Sequence, residues 1–91
     1  MAEEKDRYIK LTESLLERLE NELDVNAEFE KIDMASGIIN VNITFTNGIE
    51  VGEKFRVSSI HELNMELTYI SLKNRVISFW KDMIYKDWNK K

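Results

Sequence analysis

The sequence predicts an α+β domain in which a three-stranded antiparallel meander is packed on one face by an N-terminal helix and a long C-terminal helix, in the order α-β-β-β-α. Apolar residues recur every third or fourth position at both ends of the chain, and they alternate with polar residues in the middle. The dipeptides Ser36-Gly37 and Asn47-Gly48 divide the middle into three strands. A chain of 91 residues is expected to form a single domain, residues 1–91.

The first helix is predicted over residues 3–24. Its apolar positions form one stripe at Tyr8, Leu11, Leu15, Leu19 and Leu23. This spacing places them on one face of a helix. The opposite face is charged, so the helix needs the sheet or another helix to cover its apolar stripe.

Three strands follow, over residues 27–34, 38–46 and 49–57. The second strand alternates most clearly between apolar and polar residues, which is the pattern of a sheet with one buried and one solvated face. In the first strand Phe29 is out of phase with Ile32 and Met34. A β-bulge near residues 30–31 would bring all three onto the same face.

The register between the second and third strands is predicted from the need to keep one face apolar. A two-residue Asn47-Gly48 loop would set Phe45 opposite Glu50, whereas a three-residue loop over 46–48 sets Phe45 opposite Ile49. We therefore expect the three-residue loop, with Gly48 left-handed in a G1 bulge.

That register leaves one acidic residue on the apolar face, since Glu53 then lies opposite Val41. Two explanations stay open: a second bulge at Gly52 turns Glu53 outward, or Glu53 lies beyond the cover of the helices. A buried acid with a function is the less favoured alternative.

The second helix is predicted over residues 60–88, with Ser59 and Glu62 forming a capping box at its start. Its length would be ~43 Å at ~1.5 Å per residue, but a nine-residue strand spans only ~30 Å. Either the helix breaks near residues 73–75 and folds back, or its end projects beyond the sheet.

The second helix carries two apolar stripes. One contains Ile60, Leu63, Leu67, Ile70, Ile77, Ile84 and Trp88, and the other contains Met65, Tyr69, Leu72, Val76, Phe79, Trp80 and Met83. The first helix and the sheet are expected to cover residues 60–72. The part after residue 75 is more apolar than the remaining chain can bury, and large exposed apolar patches mark interaction sites. The candidate partner-binding residues are Val76, Phe79, Trp80, Met83, Ile84 and Trp88.

Three interpretations of this surface compete. The chain folds back and the residues are core, or a homodimer is built on the C-terminal helix, or the helix docks on a different protein or on a membrane. The membrane version is discounted because Asp82 and Asp87 interrupt the polar face.

Composition argues against several kinds of chemistry. The chain has no cysteine and one histidine, His61, so neither a thiolate nor a polyhistidine metal site is expected, nor a nucleophile paired with a base. No catalytic residue, cofactor or metal is predicted. The N-terminus lacks an apolar run and no segment is long and apolar enough to span a membrane, so we expect a cytoplasmic protein without a signal peptide.

Charge is distributed unevenly along the chain. Residues 1–30 carry ten acids and four bases, whereas residues 59–91 carry six bases and four acids. Solvated helix faces explain this pattern, and so does orientation of a partner or second copy. Together these features predict a small acidic, non-enzymatic binding protein, homodimeric, of the inhibitor, immunity or chaperone kind and of bacterial or bacteriophage origin.

The segment Met34-Ala-Ser-Gly-Ile-Ile-Asn-Val-Asn-Ile-Thr-Phe-Thr-Asn-Gly48, between two helices, resembles the YbaB/EbfC family of nucleoid-associated proteins in its layout. The resemblance covers residues 10–85 and implies a dimer that binds DNA without a catalytic site. The chain lacks that family's Gln- and Met-rich first helix and Pro-rich tail. Its weak basicity also counts against DNA, because phosphate neutralisation dominates such binding. DNA binding is therefore the alternative function.

Overall fold

The computed structural model describes the backbone of residues 2–60 and 65–89 and the side chains of residues 4–60 and 65–84. Its elements are α1 (Ala2–Glu22), β1 (Val25–Asp33), β2 (Ile38–Phe45), β3 (Glu50–Arg56), a short 3-10 turn (Val57–Ser59) and α2 (Met65–Asn89). The strands form one antiparallel sheet in the order β1-β2-β3. The predicted fold class is confirmed.

The boundary between α1 and β1 differs from the prediction by two residues. α1 ends at Glu22, and β1 begins at Val25 rather than at residue 27. Val25 is already paired with Phe45 of β2. On the outer edge of β1 the amide of Ala27 donates to the Glu20 carboxylate at 2.9 Å, so α1 both covers the sheet and satisfies an edge amide.

The bulge and the hairpin loop lie where the sequence places them. The register of β1 shifts between Phe29 and Lys31, so that Phe29 pairs with Val41 and Ile32 with Ile39. Met34 was expected on the same face, but it follows the end of β1 and is exposed. In the hairpin the amide of Phe45 donates to the carbonyl of Ile49 at 2.9 Å.

Gly48 closes the loop with φ at 86°. In this left-handed region a side chain costs energy that glycine avoids. The three-residue loop and its G1 bulge are therefore confirmed.

The core lies between one face of the sheet and the two helices. Alternate residues of β2 are buried, and they pack with Leu15, Leu16 and Leu19 of α1 and with Tyr69, Leu72 and Val76 of α2. The single buried polar residue among those described is Thr12, whose hydroxyl donates to the Tyr8 carbonyl at 2.8 Å. The opposite face of β2 carries Asn40, Asn42 and Thr44, as its alternation predicts.

α2 begins later than predicted and does not break. Ile60, the expected first helical residue, has φ −96° and ψ 59°, which is not helical. Glu62 of the predicted capping box lies outside the described residues, while Ser59 accepts a hydrogen bond from the Thr68 hydroxyl through its carbonyl.

The 25 residues of α2 form one uninterrupted helix, without a break at 73–75. Its length of ~37 Å exceeds that of any strand. The molecule is accordingly elongated, at 53 × 22 × 19 Å.

Candidate interaction surface

The two helices are joined by a group of charged side chains around Tyr69. Arg18 of α1 donates two hydrogen bonds to Glu66 of α2, at 2.6 and 3.1 Å. Lys73, two turns after Glu66, donates at 2.6 Å to Glu22, which lies one turn after Arg18. The guanidinium of Arg18 also lies 3.9 Å above the centre of the Tyr69 ring. Each charge in this group has an opposite partner, and these contacts join the two helices side by side.

The pKa values within this group follow its geometry. Hydrogen bonding from Lys73, followed by the contribution of Tyr69, lowers the pKa of Glu22 to about 2. Burial, followed by the nearby Glu22 carboxylate, raises the pKa of Tyr69 to about 12. The hydrogen bond from Arg18 lowers the pKa of Glu66. All of these groups keep their ordinary charge near neutral pH, as expected of structural ion pairs.

Glu53 occupies the position on the apolar face that the predicted register gives it, opposite Val41. Neither explanation offered above is correct. The register of β2 and β3 is regular at Gly52, and Glu53 lies under α2, where Arg75 donates to its carboxylate at 2.9 Å. This acid is therefore neutralised by a base that is distant in sequence.

The part of α2 beyond residue 75 packs around the end of β2. The ring of Phe45 is stacked against Phe79, with centroids 5.6 Å apart, and against Trp80, with centroids 5.2 Å apart. The sulfur of Met83 lies 3.7 Å from the side-chain amide of Asn47 in the hairpin loop. Aromatic stacking of this kind adds to the burial of the rings.

A groove of about 210 Å³ lies beside this aromatic cluster. Its walls come from Leu23 and Asp24 in the link between α1 and β1, from the start of β1, from the end of β2 and from the part of α2 that contains Val76, Ile77 and Trp80. The groove is largely apolar.

We define the outer face of α2 as Leu67, Ile70, Asn74, Ile77, Lys81 and Ile84; five of these residues are exposed, and Ile77 also borders the groove. These residues are separated alternately by three and four positions, so they share one side of the helix. The exposed fractions are 68% for Leu67, 43% for Ile70 and 47% for Ile84, while Ile77 is half-buried. Three large aliphatic side chains are thus presented to solvent on one side of the helix.

The candidate residues predicted from the sequence are divided among three environments. Val76 is buried in the core, and Trp80 and Met83 are half-buried against it. Ile84 is exposed to solvent, and Phe79 is 38% exposed although its ring stacks on Phe45. The side chain of Trp88 lies outside the described residues.

The cover predicted for residues 60–72 is found at Ile60, Tyr69 and Leu72, which are buried, but the prediction is wrong for Leu67 and Ile70. Leu67 and Ile70 are among the exposed large apolar residues, together with Ile49 at the hairpin. The spacing of the first apolar stripe could have indicated this exposure. That stripe and the buried stripe lie on different sides of one helix, so the sheet and α1 cannot cover both.

No family model, curated protein or solved structure that was compared with this chain matches it. Within the described residues no group of three or more histidine, cysteine, aspartate or glutamate side chains is placed to hold a metal ion. Over the same residues, neither helix combines the length and the apolar character needed to cross a membrane.

Proposed function

We propose that this chain is a small non-enzymatic binding protein that acts through protein–protein contacts, as an inhibitor, immunity protein or chaperone does, and that the outer face of α2 is its contact surface. The observation that carries this proposal is the exposure of Leu67, Ile70 and Ile84 along one side of an uninterrupted helix. Aliphatic side chains in a line are what an amphipathic helix presents to a groove or to another helix.

The exposed area limits how strongly this face can contribute to association. The three side chains leave the equivalent of roughly one and a half aliphatic residues in water, and burying one such residue contributes about 1.5–3 kcal/mol. A surface of this kind therefore contributes about 2–5 kcal/mol per chain. Since association costs about 4–15 kcal/mol in lost freedom, we expect a reversible complex rather than a permanent one.

The test compares an outer-face variant, Leu67→Lys with Ile84→Lys, with a control variant that adds the same charge elsewhere, Asn21→Lys with Ser58→Lys. All four positions are exposed, so both variants should fold, which circular dichroism checks. Sedimentation and affinity capture with mass spectrometry then measure self-association and recovery of other proteins.

We expect the outer-face variant to weaken association at least tenfold and the control to leave it unchanged. A wild-type chain that stays monomeric and recovers no protein in equimolar amount contradicts the proposal. Association that is the same in all three proteins contradicts the assignment of the surface.

DNA binding by a YbaB-like dimer is the second candidate. The order of helices and strands is compatible with it, but architecture alone does not specify function. The net charge of −4 opposes it, because binding to phosphates requires basic residues. A gel-shift experiment at low salt decides the matter: retardation that disappears as salt is raised favours DNA, and its absence removes this candidate.

A further inference from the structure

We propose that the occupant of the outer face of α2 is the outer face of α2 in a second copy of this chain, and that the two helices pair in antiparallel orientation. This inference rests on the proposed function and names its partner. It follows from the spacing of the face, from the residues that each orientation brings together and from the distribution of charge.

The spacing favours another long helix as the partner. The alternation of three and four residues from Leu67 to Ile84 is the repeat of a helix that packs against a second helix over several turns. Among the described elements, α2 itself supplies the matching surface, since the exposed side of α1 is charged, with Lys10, Glu13 and Glu17. Leu67, Ile70, Asn74, Lys81 and Ile84 are exposed, and Ile77 is half-buried where it borders the groove between α2 and the start of β1, so most of this face is accessible.

Antiparallel pairing distributes the two polar residues of the face better than parallel pairing does. A parallel pair would set Asn74 against Asn74 and Lys81 against Lys81, and two ammonium groups at one contact repel. A two-fold axis midway along the face gives a different set of contacts between the copies, namely Leu67–Ile84, Ile70–Lys81 and Asn74–Ile77. Each contact then includes at least one aliphatic side chain.

Charge along the molecule favours the same orientation. Residues 73–91 carry six bases and two acids, and residues 1–30 carry ten acids and four bases. The contacts Arg18–Glu66 and Glu22–Lys73 show that α1 and α2 run in the same direction. In an antiparallel pair, the basic end of each α2 points toward the acidic start of α1 in the other copy, whereas parallel pairing brings the basic ends together.

Asn74 lies near the middle of this interface, where a polar residue fixes register at a cost in stability. Replacing it by leucine should therefore lower the dissociation constant of the dimer at least tenfold, measured by sedimentation equilibrium. The matched control is Asn21→Leu, the same change at an exposed position of α1, which should leave the constant within twofold. Equal constants for the two variants would overturn the inference.

Orientation is tested by disulfide formation. The chain has no cysteine, so no native thiol competes with the introduced ones. Ile70→Cys and Lys81→Cys chains of different mass are mixed and oxidised. In the antiparallel pair, position 70 meets position 81, while like positions are ~16 Å apart along the axis, beyond the ~7 Å reach of a disulfide. We expect the mixed disulfide to dominate. Dominant disulfides between like positions would overturn the antiparallel arrangement.

The failure of this inference can be told apart from failure of the proposed function. If the chain stays monomeric at all concentrations but captures another protein through the outer face, the second copy is the wrong occupant and the binding function stands. If the mixed disulfide forms but the outer-face variant captures other proteins as well as the wild type does, the dimer stands and the assigned contact surface for other proteins fails.

Discussion

Phe45→Leu tests how the second half of α2 is attached to the sheet. The ring of Phe45 is buried and stacks against both Phe79 and Trp80. Each aromatic pair contributes about 0.5–1.5 kcal/mol beyond its burial, so losing both should lower the free energy of unfolding by about 1–3 kcal/mol. For a chain of this size, 1 kcal/mol corresponds to a change of about 4–8 °C in Tm.

The assay is urea unfolding, followed by circular dichroism at a concentration where the chain is monomeric. Phe55→Leu is the matched control, since Phe55 is buried on β3 and has no stacked ring among the described residues. A double-mutant cycle with Phe79→Leu should give a coupling energy of about 0.5–1.5 kcal/mol. A coupling energy near zero, together with equal losses of stability in Phe45→Leu and Phe55→Leu, would refute the view that aromatic stacking holds α2 on the end of the sheet.

Four further variants test the hairpin and the charged group between the helices. Gly48→Ala should destabilise the fold by about 1–2 kcal/mol, because φ is 86° there although space for a methyl group exists. Gly52→Ala, with the same open surroundings and no positive φ, should be close to neutral in the same urea titration. The pKa of Glu22 is lowered from 4.5 to about 2, so its charged form stabilises the fold above pH 4.5 and this contribution is lost as pH falls toward 2. Glu22→Gln should therefore reduce the loss of stability in that interval, and an unchanged pH profile would count against the ion pair with Lys73. The pKa of Tyr69 is raised from 10 to about 12, so stability present below pH 10 is lost as pH rises through 12. In thermal melts between pH 9 and pH 12, the Tm of Tyr69→Phe should fall less steeply with pH than the Tm of the wild type.

Local sequence patterns predicted those features of the structure that depend on residues close in sequence. Alternation with period two and the need for an apolar face predicted the pairing of Ile43 with Val51 and of Ile39 with Phe55. The phase change after Phe29 predicted the bulge in β1. Helix boundaries were less accurate, because Leu23 and Ile60 fit the apolar stripes although neither lies in a helix.

Contacts between distant residues could not be predicted in the same way. Glu53 looked out of place on an apolar face because its partner Arg75 lies 22 positions away, on another element. The ion pairs of Arg18 and Glu22 with α2 likewise join residues about 50 positions apart. Charged residues are common on helix surfaces, so their types alone do not indicate which ones meet.

By itself, the sequence determined the order of the helices and strands, the register of the sheet and the presence of two apolar stripes on α2. Only the tertiary structure decided which stripe is buried: that of Tyr69, Leu72 and Val76 faces the core, and that of Leu67, Ile70 and Ile84 faces solvent. The physical reason is that both stripes have helical spacing and similar hydrophobicity. Their burial therefore depends on how α2 is rotated against the sheet and α1, which contacts across the whole chain determine.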